Sequence, residues 1–132
     1  MPHIIVEKNA RGLRGGRVLV EALHAEAVTF DALPTGGIRT RLIKPAHSSV
    51  GADHGDESYC YVTVRLGRGR SDAVKREIGD RLFKVLTDWA APAVRKGQPV
   101  SLGLEIQEID PDWTWKQNNI HALLKAQDAQ DD

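Results

Sequence analysis

Tyr59-Cys60-Tyr61-Val62-Thr63-Val64-Arg65-Leu66, then Ser71 to about Ala93, then Val100 to Ile109 follow one another through the second half of the chain, each with its own hydrophobic period. β-Branched and aromatic residues crowd the first piece, which reads as a strand. In the second, Val74, Ile78, Leu82, Leu86, Trp89 and Ala93 recur at steps of three or four and form the apolar stripe of one helix. The third returns to period two, with Leu102, Leu104 and Ile106 on one side of a strand. A strand, a helix and a second strand in this order predict parallel pairing through a right-handed crossover.

The same order occurs upstream. Ile4, Ile5 and Val6 begin a β-branched strand almost at the first residue, although chain ends are loose unless sheet pairing ties them down. From about Leu13 to Phe30, the residues Val18, Leu19, Ala22 and Leu23 recur at helical spacing, and Leu33-Pro34-Thr35-Gly36-Gly37 ends the segment as a turn. Ile38 to Lys44 reads as a strand that sends Arg39 and Arg41 to the same face. Ala46 to Ser58, with paired serines and two glycines, reads as loop. Two strand-helix-strand units of about 60 residues each predict an α/β (α+β) fold, a four-stranded sheet with two helices on one face. Half of each apolar strand then lies on the opposite face, which calls for burial by symmetric association.

Pro111 to Trp115 reads as a short strand or hairpin, Lys116 to Lys125 as one or two helical turns, and the polar end, about 126–132, as frayed. With 132 residues and 41% hydrophobic content, the chain suits a single domain with one modest core. Its 18 basic and 18 acidic residues cancel, so no global field draws it to nucleic acid or to an anionic membrane, and any anion recognition must be local. A lone cysteine, Cys60, excludes an internal disulfide and fits a reducing, cytoplasmic setting. The start, Met1-Pro2-His3-Ile4-Ile5-Val6-Glu7, has neither the pattern of a signal peptide nor the length of a membrane span.

Four blocks spread from end to end carry a family resemblance: Pro2-His3-Ile4-Ile5-Val6-Glu7, Gly37-Ile38-Arg39-Thr40-Arg41, Gly67-Arg68-Gly69-Arg70-Ser71, and Lys116-Gln117-Asn118-Asn119-Ile120-His121-Ala122-Leu123. Through them the sequence resembles the 5-carboxymethyl-2-hydroxymuconate Δ-isomerases of the tautomerase superfamily, to which 4-oxalocrotonate tautomerase also belongs. The first block points to the superfamily, and the last two single out the isomerase. Helix one and the loop 46–58 match poorly, so reaction type carries over more firmly than substrate. The resemblance implies a tautomerase-like fold, a homotrimer, no cofactor and no metal. It also implies a small unsaturated di- or tricarboxylate as substrate, within the breakdown of aromatic compounds such as homoprotocatechuate.

The chemistry asked of these residues is consistent with their types. Proline after an initiator methionine permits trimming, which leaves a secondary amine in place of a tertiary amide. An α-amino group titrates near pH 8 in model peptides, and apolar or cationic surroundings lower it toward the working range of a general base. In the family reaction such a base takes the hydroxyl proton of a dienol and returns it to a distant carbon. Pro2 is therefore the candidate base. Arg39 and Arg70 are the candidate partners by motif position, since a guanidinium grips a carboxylate through two parallel N–H bonds. Arg41 is either a second clamp or a structural residue, with the structural role favoured. Trp113 and Trp115 suit an interface ahead of a pocket wall, and Trp115 is carried as a candidate substrate contact.

Other features read as structural. Gly67 and Gly69 lack the third glycine of a dinucleotide fingerprint and the lysine of a phosphate loop, so they mark a turn. Cys60 reads as a small core residue, and His3 and His121 read as structural. Two competing functions stand beside the isomerase: a tautomerase of another 2-hydroxydienoate or of an arylpyruvate, and a non-catalytic trimeric binding module on the same scaffold.

Overall fold

The computed structural model describes residues 1–131. Its strands are β1 (His3–Lys8), β2 (Arg39–Ile43), β3 (Ser58–Gly67) and β4 (Val100–Ile109), and its helices are α1 (Gly16–Ala27), α2 (Asp72–Arg95) and α3 (Ile120–Asp131). The sheet order is β2-β1-β3-β4. β1 pairs parallel with β2, β3 pairs parallel with β4, and the two units meet antiparallel through β1 and β3. The two expected strand-helix-strand units are thus present and joined at the centre of one sheet.

Alternation along the strands decides which side carries the core. Ile4 and Val6 of β1 and Cys60, Val62, Val64 and Leu66 of β3 are buried, and they pack with Leu19 and Leu23 of α1 and Ile78, Leu82 and Leu86 of α2. The helix stripe read from the sequence is the packing face of α2, although Val74, Trp89 and Ala93 at its ends are only partly buried. Ser71 caps α2, its hydroxyl accepting the Val74 amide at 3.2 Å. α1 is shorter than expected, because Gly15 at φ 83° sets its start and Val28 ends it. Between the helices, Arg81 lies over the Phe30 ring at 4.0 Å and pairs with Glu26 at 2.7 Å.

The opposite face of the sheet departs from the expectation. The residues that alternate with the buried set are His3, Ile5 and Glu7, then Tyr59, Tyr61, Thr63 and Arg65, and most of them are polar. Whatever covers this face meets hydrogen-bonding groups more than hydrocarbon. Gly103 of β4 lies opposite Tyr61, and a Cβ there would fall 2.5 Å from the ring, so the bare backbone is what lets the tyrosine lie flat.

The tail also differs. Pro111–Trp113 is a single 3-10 turn and not a strand, because Asp110 accepts the Asp112 amide and closes the chain on itself. The helical part is longer than one or two turns: α3 runs from Ile120 to Asp131, through most of the segment expected to be loose, while Asp132 lies outside the described residues. Among the described residues no helix is long and apolar enough to cross a membrane.

Leu82 is fully buried between α2 and the sheet. Leu82→Ala should cost about 2–5 kcal/mol, read as a lower midpoint in chemical denaturation at fixed protein concentration. A change within experimental error would mean that α2 is not packed as described.

Candidate active site

Pro2 is buried at the head of β1, and its carbonyl accepts the Arg39 amide at 3.0 Å, which extends the β1–β2 ladder by one rung beyond His3. The position next to the chain terminus is therefore as fixed as a strand interior. Gly36 and Gly37, in the 3-10 turn Thr35–Gly37, form one wall. A Cβ at Gly37 would lie 3.4 Å from Pro2 Cδ, so glycine allows the turn to close against the proline ring.

Arg39 enters β2 beside Pro2, with Nη1 donating to the Gly37 carbonyl at 2.9 Å and to Met1 Sδ at 3.3 Å. Arg70 arrives from the turn between β3 and α2. Its Nε and Nη2 donate to the Ala32 carbonyl at 3.0 and 2.8 Å, and its Nη1 donates to Gly67 at 3.0 Å. These bonds clamp the guanidinium to the loop before Pro34 and leave further N–H groups of both terminal nitrogens for a ligand.

Electrostatically the cluster is one-sided. The amine of Met1 is held below the ordinary 8.0 of an amino terminus, first by burial and then by the charges of Lys116, Arg70 and Arg39. Among the described residues, Arg39, Arg70 and Lys116 form no ion pair with a carboxylate, while eight other pairs occupy the rest of the surface. A chain of zero net charge has thus gathered positive charge without a carboxylate partner, among the described residues, at one end of its sheet. No group of His, Cys, Asp and Glu among the described residues could hold a metal ion.

Pro2, Arg39 and Arg70 are brought together as the sequence suggested. Arg41 shares the strand face of Arg39, but its Nη1 lies 3.1 Å from His3 Nδ1, and it is not among the charges acting on the amine. Trp115 is not packed against the cluster in this chain and stands 83% exposed, as Trp113 does at 76%. Burial pushes the Cys60 thiol up to about 11, which keeps it protonated and fits a core role.

Three residues of the tail went without a functional role in the sequence reading, although they lie in the block that carried the resemblance. The charge of Lys116 acts on the amine. Asn118 Nδ2 donates to the Gly36 carbonyl at 2.9 Å. The His121 ring covers Gly36, whose Cβ, were there one, would lie 2.8 Å from His121 Nδ1 and 3.0 Å from its backbone nitrogen. A groove of about 660 Å³ between α2 and β4 lies on the far side of β3 from β1 and β2 and takes no part in this cluster.

Comparison with known proteins gives a consistent picture. Residues 2–124 match the family model described as 5-carboxymethyl-2-hydroxymuconate isomerase. The chain is 30% identical over 127 residues to the 5-carboxymethyl-2-hydroxymuconate Delta-isomerase of Escherichia coli, spanning 95% of this chain and 100% of the relative. A 5-carboxymethyl-2-hydroxymuconate isomerase of Deinococcus radiodurans R1 superposes with a TM-score of 0.85 at 33% identity, over 93% of each chain. At the level of fold alone, a fused 4-OT symmetric trimer superposes with a TM-score of 0.57 at 18% identity, over 80% of this chain and 85% of that one.

Because a side chain at Gly36 would meet the backbone of His121, Gly36→Ala should lift the tail from the turn while leaving the sheet intact. Faster amide hydrogen exchange across α3, with exchange in β1 and β3 unchanged, is the expected result. Unchanged protection of α3 would show that the tail is not seated there.

Proposed function

This chain belongs to the 5-carboxymethyl-2-hydroxymuconate isomerase family, within the tautomerase superfamily, and we propose that it converts 5-carboxymethyl-2-hydroxymuconate to its 2-oxo isomer with Pro2 as the proton carrier. The observation that carries the mechanism is the burial of Pro2 in the sheet beside a set of cations that no carboxylate among the described residues pairs with.

Loss of Met1 turns the tertiary amide nitrogen of Pro2 into a secondary amine. Pro2 is buried next to the Met1 amine, whose pKa is lowered by burial and by Lys116, Arg70 and Arg39, and the same influences would keep a Pro2 amine neutral further toward acid than a free terminus. It takes the dienol hydroxyl proton as the oxygen–carbon bond becomes a carbonyl, and the electron pair moves along the conjugated chain. The ammonium so formed returns the proton to the distant carbon, and atoms and charge balance without an external acid. Negative charge on the departing oxygen and on the carboxylates is met by Arg39 and by the N–H groups that Arg70 retains. Arg70 is held by backbone carbonyls, so little reorganisation accompanies its contact with substrate.

A cytoplasmic homotrimer completes the reading. Association of subunits is supported by the unpaired outer edges of β2 and β4, by the exposed Trp113 and Trp115, and by the largely polar sheet face that no described element covers. Within it, Arg41 and Trp115 belong to the surfaces a second subunit would meet, where Trp115 would still be able to reach a substrate in the neighbouring site.

Pro2→Ala should leave the assembly intact and remove most turnover, followed as a change in ultraviolet absorbance when the dienol is added. Arg70→Ala should raise the barrier by about 2–4 kcal/mol, the scale of losing one preorganised donor. Wild-type rates in both variants would refute the assignment.

The pH profile gives a separate check. A nearby cation disfavours the protonated amine, so removing it raises the amine's pKa. Lys116→Gln should therefore move the acidic limb of kcat/KM to higher pH, and an unmoved limb would separate Lys116 from the base.

A further inference from the structure

The side chain of Met1 occupies a defined place. Its sulfur receives Arg39 Nη1 at 3.3 Å and Asn118 Nδ2 at 3.6 Å, and the residue is half-buried beside Pro2. Thioether sulfur is a weak acceptor, so two good donors are aimed at a partner that satisfies neither. The orientation of the Asn118 amide is set from both ends, because Oδ1 accepts the Ile120 amide at 2.7 Å while Nδ2 donates to Gly36 at 2.9 Å. The N–H group that remains on Nδ2 faces the sulfur.

Resting on the reading of Pro2 as the trimmed amino terminus, we infer that the space Met1 leaves is a substrate subsite, and that Asn118 is a specificity-determining residue donating there to a carboxylate or enolate oxygen. When Met1 goes, the donors from Arg39 and Asn118 converge on an emptied volume next to the amine. The charges of Lys116 and Arg70, which already act on the Met1 amine, favour an anion in that volume. A carboxylate presents two oxygens, enough to accept from a charged donor on one side and a neutral donor on the other. The neutral donor matters because it adds direction without adding charge, and so leaves the balance of cations around the amine unaltered. Seen this way, the tail is a wall of the site and not only a clasp over the turn.

A purely structural Asn118 would cap α3 and tie it to Gly36, and the experiment must separate that role. Asn118→Asp keeps the oxygen that caps Ile120 but replaces the donor with a negative charge. Asn118→Ala removes both. The probe is adipate, a saturated dicarboxylate that cannot be isomerised, titrated by calorimetry into protein whose loss of Met1 has been verified by mass spectrometry. Adipate should bind about tenfold or more weakly to both variants than to wild type, the scale of losing a hydrogen bond to a charged group, with the larger loss in Asn118→Asp. That variant's loss should shrink as the pH falls and the new carboxyl takes up a proton. In isotopically labelled wild type, the Asn118 side-chain amide resonance should shift on adding adipate, which tests the contact without any mutation. Affinities within twofold of wild type in both variants, or an amide resonance that does not move, would overturn the subsite. Pro2→Ala keeps the two readings apart. If it binds adipate normally but does not turn over, the base stands whatever Asn118 does; if it turns over normally, the base fails while the subsite is still judged on adipate alone.

Discussion

A single backbone hydrogen bond, from the Arg39 amide to the Pro2 carbonyl, turns a chain end into a rung of a sheet. Chain termini ordinarily move freely, and a group that moves freely cannot be held at hydrogen-bonding distance from a substrate proton. Pairing with β2 on one side and β3 on the other places residue 3 between two neighbours, and residue 2 inherits that rigidity. The parallel partner is the strand whose first residue is Arg39, so one stretch of ladder positions both the nitrogen and a guanidinium beside it. The crossover through α1 makes this possible, since it returns β2 in the direction that sets its start next to the start of β1.

Crowding cations around an amine is unfavourable for the folded chain taken alone, and no carboxylate among the described residues relieves it here. Two features make it tolerable. Arg70 is bound by neutral carbonyls of the loop at Ala32 and the turn at Gly67, which disperse its charge without cancelling it. Lys116 is exposed and keeps its hydration. In the proposed mechanism an anionic ligand would meet this unrelieved charge, and the same three side chains add to burial, the larger cause, in lowering the pKa of the amine.

Much of this was readable from the amino acids because it depends on local period. The stripe from Ile78 to Leu86, the pairing within each strand-helix-strand unit and the common face of Arg39 and Arg41 follow from repeats of two and of three or four residues. What escaped depends on contacts between distant residues. Asn118 reads as an ordinary polar residue before a helix, and only its place over Gly36, 82 positions away, gives it a role at the site. The polar character of the open sheet face was legible in principle, since Arg65 and Glu7 alternate with buried neighbours, but the apolar halves of the strands dominated the reading. The length of α3 was missed because its sequence is mostly polar, and most of the stability of such a helix comes from tertiary docking. Trp113 and Trp115 read as an interface pair or a pocket wall, and alternation along a short segment does not say which surface an aromatic ring meets.

The seat of the last helix on the Gly36–Gly37 turn has a temporal consequence. The first residues of the chain emerge from the ribosome long before Asn118 and His121 exist, so the site cannot be finished while translation is under way. During that interval nothing from the tail covers Met1, whereas in the completed fold the methionine is half-buried under Asn118. In the proposed mechanism, which needs Met1 removed, an aminopeptidase would therefore meet its most accessible substrate on the nascent polypeptide, before the carboxyl-terminal residues cover the methionine.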